Sequence, residues 1–163
     1  MKIYLTTGVG FGKTPLSAFD GALADAGVMN FNLVVLSSVI PPGTTIVHDK
    51  MSVDDSEWGN KLYCVKAEMR SRDSGRFIGA ALGWYQLEDG RGVFVEHEET
   101  GEVESSVEAD LKEEVKRSIM DLCKNRDIPF NESKMGVKIK TSKVKDLPAS
   151  VIVIAAYKSE NWD

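Results

Sequence analysis

The bond between Ser37 and Ser38 lies between the apolar run Phe31-Asn32-Leu33-Val34-Val35-Leu36 and the segment Val39-Ile40-Pro41-Pro42. It is where this chain could carry out covalent chemistry on itself. If the Ser38 hydroxyl attacks the carbonyl of Ser37, the peptide becomes an ester. Elimination and hydrolysis then leave a pyruvoyl ketone on residue 38 and a new carboxyl terminus at Ser37. The ordinary alternative is a strand running into a turn. A second pair, Ser105-Ser106, serves as an internal control. Glu108 stands three residues after Ser105 and an apolar-periodic segment follows, so that pair predicts a helix capping box.

Other chemistries find less support. Gly8-Val9-Gly10-Phe11-Gly12 reads as a glycine-rich loop, but it lacks both the G-x-G-x-x-G spacing and a Walker Lys-Ser/Thr pair. Cys64 and Cys123 are isolated and only His48 and His97 are present, which predicts buried free thiols and no metal site. A net charge of −5 argues against a nucleic-acid partner and suits a cationic substrate. The amino terminus has too short an apolar stretch for a signal peptide, and no membrane segment follows. The expected location is the cytoplasm. At 163 residues, 42% of them hydrophobic and 28% charged, the chain has the size and composition of one soluble domain, residues 1–163.

The elements that must position Ser38 follow from periodicity. Lys2 to Thr7 predicts a first strand. Thr14 as N-cap and Pro15 at the first helical position predict a helix ending at Gly27, with Leu16, Phe19, Leu23 and Ala26 as its buried stripe and Asp20 beside it. Phe31 to Ser37 reads as a strand buried on both faces, ended by Pro41-Pro42. Residues 48 to 60 read as an exposed loop. Lys61 to Arg70, Arg76 to Leu87 and Arg91 to Glu98 predict three strands, joined by turns that favour antiparallel neighbours. A helix from Ser106 to about Lys124 carries the stripe Val107, Leu111, Val115, Ile119 and Leu122, and strands at Met135 to Thr141 and Ser150 to Tyr157 complete the sheet. The pattern is α+β, a sandwich of mainly antiparallel sheet flanked by helices.

Several ordered motifs carry a resemblance. Thr14-Pro15-Leu16-Ser17-Ala18-Phe19-Asp20-Gly21-Ala22-Leu23, then Ala26-Gly27, then Asn32-Leu33-Val34-Val35-Leu36-Ser37-Ser38-Val39-Ile40-Pro41-Pro42 resembles the pyruvoyl-dependent arginine decarboxylases. Gly92-Val93-Phe94-Val95-Glu96-His97-Glu98 resembles the acid-bearing strand of that family. The likeness is dense over roughly residues 4 to 47, patchy through the middle, and returns at Ala155-Ala156-Tyr157.

The resemblance implies cleavage into a β chain of residues 1–37 and an α chain of residues 38–163. It implies conversion of L-arginine to agmatine and CO2 through a Schiff base with the pyruvoyl group made from Ser38. Glu96 is then the general acid that protonates the carbanion. On a strand it shares a face with Phe94 and Glu98 and not with Val93, Val95 and His97, and desolvation there would raise its pKa. Asp20 takes the family's guanidinium-binding position, Asn32 the position that assists processing and holds the site, and Ser37 contacts substrate after cleavage. By spacing alone, Glu96 is a solvent-facing edge residue, Asp20 an exposed helix aspartate and Asn32 a polar residue at a strand start. The family assembles as a trimer with sites between subunits. Ser17 in place of an asparagine, the loop from His48 to Asn60, and a tail from Lys158 to Asp163 beyond the family's usual end depart from the pattern. Two rival readings stay open: a pyruvoyl enzyme for another amino acid, and an unprocessed, non-catalytic binding or structural homologue.

Overall fold

Alternation along the last strand determines the layering. Val151, Val153 and Ala155 point to one face and Ile152, Ile154 and Ala156 to the other, and all six are buried, so this strand needs cover on both sides. The computed structural model describes residues 1–163 and supplies that cover. Its order is β1 (Lys2–Phe11), α1 (Pro15–Ala26), β2 (Asn32–Val35), β3 (Val39–Ile40), β4 (Thr45–Val47), β5 (Lys61–Ser71), β6 (Phe77–Gln86), β7 (Gly92–Gly101), α2 (Glu104–Lys124), β8 (Met135–Lys143) and β9 (Ala149–Glu160).

One sheet runs β2-β5-β9-β1-β4 and the other β3-β7-β6-β8. Their facing sides share a core that includes Ile3, Leu5, Val65, Leu82, Phe94 and Val153. Helix α1 covers the outer face of the first sheet over Leu62, Cys64, Ile152 and Ile154, and α2 covers that of the second over Ala81, Val93 and Val95. The result is the expected α+β sandwich, antiparallel except where β1 pairs β4 and β2 pairs β5.

The glycine-rich segment is not a loop. Gly8 and Gly10 lie within β1, and a Cβ on either would collide with the backbone of α1 at Ala22 and Ala18. The absence of side chains lets the helix lie directly on the strand. That close approach also rearranges the helix. Its buried residues are Ala18, Ala22, Leu23 and Ala26, while Leu16 is 68% exposed and Phe19 only half-buried. The predicted stripe is therefore rotated toward the small residues. The caps are as expected, with Thr14 accepting from Ser17 N–H and Gly27 in the left-handed region at φ 82. Ser17, the departure from the family pattern, closes this capping box by accepting from Thr14 N–H at 3.1 Å.

Four further expectations change. Strand β2 is a four-residue edge strand with both ends exposed, not one buried on both faces. Strands β5 and β6 are consecutive but belong to different sheets, so the turn between them crosses the sandwich; only β6 and β7 form the antiparallel pair. Helix α2 starts earlier, with Val103 at its N-cap and no side-chain cap, so Ser105-Ser106 lie in its first turn and form no capping box. Its stripe ends on Cys123, with Leu122 packed at the margin. The tail is tied into the first sheet. Lys158 to Glu160 continue β9, where Lys158 and Lys61 donate to Glu160 and hold its carboxyl down to about 2, and Trp162 donates to the Gly59 carbonyl at 2.9 Å.

The β1–α1 contact yields a direct expectation. Gly10→Ala forces helix and strand apart and costs about 1–3 kcal/mol. Thermal unfolding should show a midpoint lower by roughly 5 °C, and an unchanged midpoint would mean that the helix backbone does not rest on this glycine.

Candidate functional site

Strand β2 belongs to the first sheet and β3 to the second, so residues 36–38 must pass from one to the other. The link is pinned at both ends. Leu36 N–H donates to the Cys64 carbonyl at 2.9 Å, Phe94 N–H donates to the Ser38 carbonyl at 2.7 Å, and Val39 then pairs with Val93. Between the pins Ser37 is exposed and Ser38 has φ 68. A serine in the left-handed region costs about 1–3 kcal/mol and persists only where its surroundings over-determine it. Asp127, just past α2, is the other non-glycine residue at positive φ.

The side chain of Ser38 has a defined partner. Its hydroxyl donates to the Glu96 carboxylate from β7. Alternation along β7 puts Phe94 in the core between the sheets and Val93 and Val95 under α2, where His97 also meets Ser118 at 2.8 Å. Glu96 shares the inner face with Phe94 and is half-buried. Alternation thus placed Glu96 on the face of Phe94 as expected, and the solvent-facing edge reading that spacing alone favoured does not apply.

Tyr157 completes the cluster, and sequence reasoning did not assign it a place there. Its hydroxyl donates to the Val39 carbonyl at 3.0 Å, and its ring meets Phe94 edge-on with centroids 6.3 Å apart. Burial first, then the charge of Glu96 and that of Cys64, push its phenol well above the ordinary range, so the hydroxyl stays a donor. Burial also pushes the Cys64 thiol, which is free, up to about 11. Cys123 is likewise free and buried, with its thiol raised by burial.

The structure joins Ser38 to Glu96 and bonds neither Asp20 nor Asn32 to that pair. Asp20 is exposed on α1 and forms no ion pair within the chain. Asn32 begins β2 and donates to the Gly59 carbonyl at 2.7 Å, six residues before Ser38 along an extended segment. A cleft of about 430 Å³ opens beside Val39 and Ile40 toward the end of α2, lined in part by Val93, Cys123 and Ile128. Arg91 and Arg126 also line it and would repel a guanidinium, and the cleft reaches neither Ser38 nor Glu96.

A ketone at residue 38 would fit this setting. The 37–38 bond lies between two separately anchored segments, so a break there removes no strand pairing. The carbonyl of residue 38 already has a polar partner in Phe94 N–H, and the Glu96 carboxyl lies within hydrogen-bond reach of the residue 38 side chain.

A model of the family described as pyruvoyl-dependent arginine decarboxylase matches residues 2–161. The chain belongs to that family. Among its relatives, the pyruvoyl-dependent arginine decarboxylase of Methanococcoides burtonii is 39% identical over 82 residues, 50% of this chain and 46% of the relative. That of Thermoplasma volcanium is 37% identical over 105 residues, 63% of this chain and 58% of the relative. That of Nitrosopumilus maritimus is 29% identical over 135 residues, 82% and 72% respectively. The chain thus spans about half the length of the first two relatives. The family match includes Lys158 to Asn161, so the tail does not run past the family's end as expected.

The buried thiol gives a signed pH dependence. The Cys64 pKa is raised from 9.0 to about 11, so its contribution to stability is full below pH 9.0 and is lost as pH rises through about 11. Urea unfolding across that window should show a downward slope in stability that flattens in Cys64→Ala. A slope unaffected by the substitution would place the titration elsewhere.

Proposed function

We propose that this chain is an arginine decarboxylase that makes its own pyruvoyl group from Ser38 and releases agmatine and CO2 from L-arginine. The observation that carries the reading is the Ser38 hydroxyl on the Glu96 carboxylate, at a strained junction in a chain of this family.

Self-cleavage comes first. The Ser38 oxygen bonds to the Ser37 carbonyl carbon, the 37–38 C–N bond breaks, and the hydroxyl proton ends on the freed nitrogen of residue 38. Loss of the α-proton of residue 38 then breaks its Cβ–O bond and releases Ser37 as a carboxylate. Water replaces the nitrogen, ammonia leaves and a ketone remains. That ketone supplies an electrophile for an amine and a conjugated sink for the electron pair released with CO2.

The chain's own residues do the rest. Glu96, beside residue 38, is the general acid that delivers a proton to the substrate carbon, a role worth about 10² to 10⁴ in rate. Phe94, on the same strand face as Glu96, and Tyr157, which feels its charge, set aromatic groups beside its carboxyl. Asp20 offers an unpaired carboxylate to the substrate guanidinium, which it can meet bidentately. Ser37 and Asn32 contribute polar groups to the same site. The active form is a cytoplasmic trimer of cleaved protomers, each a β chain of residues 1–37 and an α chain of residues 38–163. Within one chain Asp20 is exposed and Asn32 bonds to Gly59, neither to the Ser38–Glu96 pair, which supports a site completed by a second copy.

Denaturing mass spectrometry of the purified protein should show two fragments split at Ser37-Ser38, with residue 38 carrying a ketone; Ser38→Ala should show one. A single full-length wild-type mass after long incubation would sink the proposal. Glu96→Gln should lower kcat on arginine by about 10² to 10⁴. Asp20→Asn should reduce kcat/KM for arginine by roughly 10- to 100-fold and erase its preference over uncharged amino acids, and equal losses on every substrate would remove Asp20 from recognition.

A further inference from the structure

The pairing of β5 with β9 contains one irregularity, and it falls on Tyr157. Tyr63 faces Lys158 and the next residue, Cys64, faces Ala156, which leaves Tyr157 as the unmatched residue of a β-bulge. A bulge re-aims a side chain and is otherwise a loss of pairing, so it calls for a compensating role. Here the re-aimed hydroxyl crosses from the first sheet to the second and donates to the Val39 carbonyl at 3.0 Å.

That carbonyl ends the residue directly after Ser38. With Phe94 N–H on the carbonyl of residue 38 and Tyr157 on that of residue 39, two successive peptide planes are fixed from opposite sheets. Strand β3 is only two residues long and Val39 is 56% exposed, so ladder pairing alone gives this segment little hold. The Ser38 side chain, the group that must attack, has its backbone direction set by these planes. The first plane adjoins the Ser38 Cα, and the second, one residue on, keeps the first from turning.

We propose that Tyr157 is a positioning residue for self-cleavage: by hydrogen bonding to the Val39 carbonyl it holds Ser38 in the left-handed conformation in which its hydroxyl rests on Glu96. The proposal rests on the reading that this chain cleaves at Ser37-Ser38. It adds no covalent step, because Tyr157 neither gains nor loses a proton while it donates. Its raised phenol pKa agrees with a donor that stays neutral beside Glu96.

The experiment follows cleavage in time. Full-length chain is made by cell-free translation, and the fraction split at Ser37-Ser38 is read by denaturing mass spectrometry for wild type, Tyr157→Phe and Tyr157→4-aminophenylalanine, with Tm measured on each. The Phe variant keeps the ring against Phe94 and removes only the donor, while the amino variant restores a donor. Wild type should cleave, Tyr157→Phe should cleave about tenfold more slowly, the worth of one neutral hydrogen bond expressed in a barrier, and 4-aminophenylalanine should recover most of the rate. Cleavage by wild type with an equal rate in Tyr157→Phe overturns the positioning role and leaves the self-cleavage reading standing. A slow Tyr157→Phe that 4-aminophenylalanine fails to rescue, with Tm lowered equally in both, also overturns it, by making the effect one of general stability. No cleavage in wild type overturns both readings.

Discussion

Two sheets packed face to face cannot both contain residues 32–40 unless the chain crosses between them, and the crossing has three residues in which to do it. Everything at the candidate site depends on that constraint. Leu36 is tied to Cys64 of one sheet and the Ser38 carbonyl to Phe94 of the other, so the turn must be made at the residues between. The backbone makes it by putting Ser38 at φ 68, where a glycine would be the unstrained choice. A serine at a position that favours glycine is a local rule broken. Such breaks are expected where the side chain is needed for something other than folding.

The surroundings of that serine explain how the strain is held. Its carbonyl, its hydroxyl and the following carbonyl each have one partner, from Phe94, Glu96 and Tyr157. Two of these partners come from β7 and one from β9, and both strands contribute residues to the main core between the sheets. Rigidity of the core thereby becomes rigidity at residue 38. Phe94 links the two kinds of order: its ring is buried with Leu82 and Val153, while its backbone N–H holds the Ser38 carbonyl. Burial at this core and the charge of Glu96 both act on Tyr157 and raise its phenol pKa.

The layered fold was legible because its signals are periodic. Val107, Leu111, Val115 and Ile119 mark one helix face, and alternation along β7 separates Glu96 from Val95 and His97 without any tertiary information. The rest failed where contact overrode pattern. Gly8 and Gly10 look like a loop until a helix is laid against them, and Leu16 looks buried until that helix turns its alanines inward. An apolar run such as Leu33-Val34-Val35 reads as fully buried, yet pairing with β5 alone leaves it at an edge, with Val35 57% exposed. Ser37-Ser38 stood out by the family motif around it and not by the dipeptide, which Ser105-Ser106 repeats. Tyr157 did not, because a bulge depends on the register between β5 and β9, which are almost a hundred residues apart along the chain and leave no local mark in either.

Sheet topology also decides what a break at residues 37–38 would do to the molecule. The segment before the break contributes β1, α1 and β2. Strand β1 lies inside the first sheet between β9 and β4, and pairs with β9 from Tyr4 to Phe11. Ile3 and Leu5 are buried in the core between the sheets, and Ala22, Leu23 and Ala26 of α1 are buried against the outer face of the first sheet. Strand β2 adds a second attachment through β5. None of these contacts passes through the 37–38 bond, so severing it removes a covalent link and no buried surface. It frees only the two ends that the crossing had forced together, and the strain at residue 38 is the part of the fold that can be released without loss to the rest.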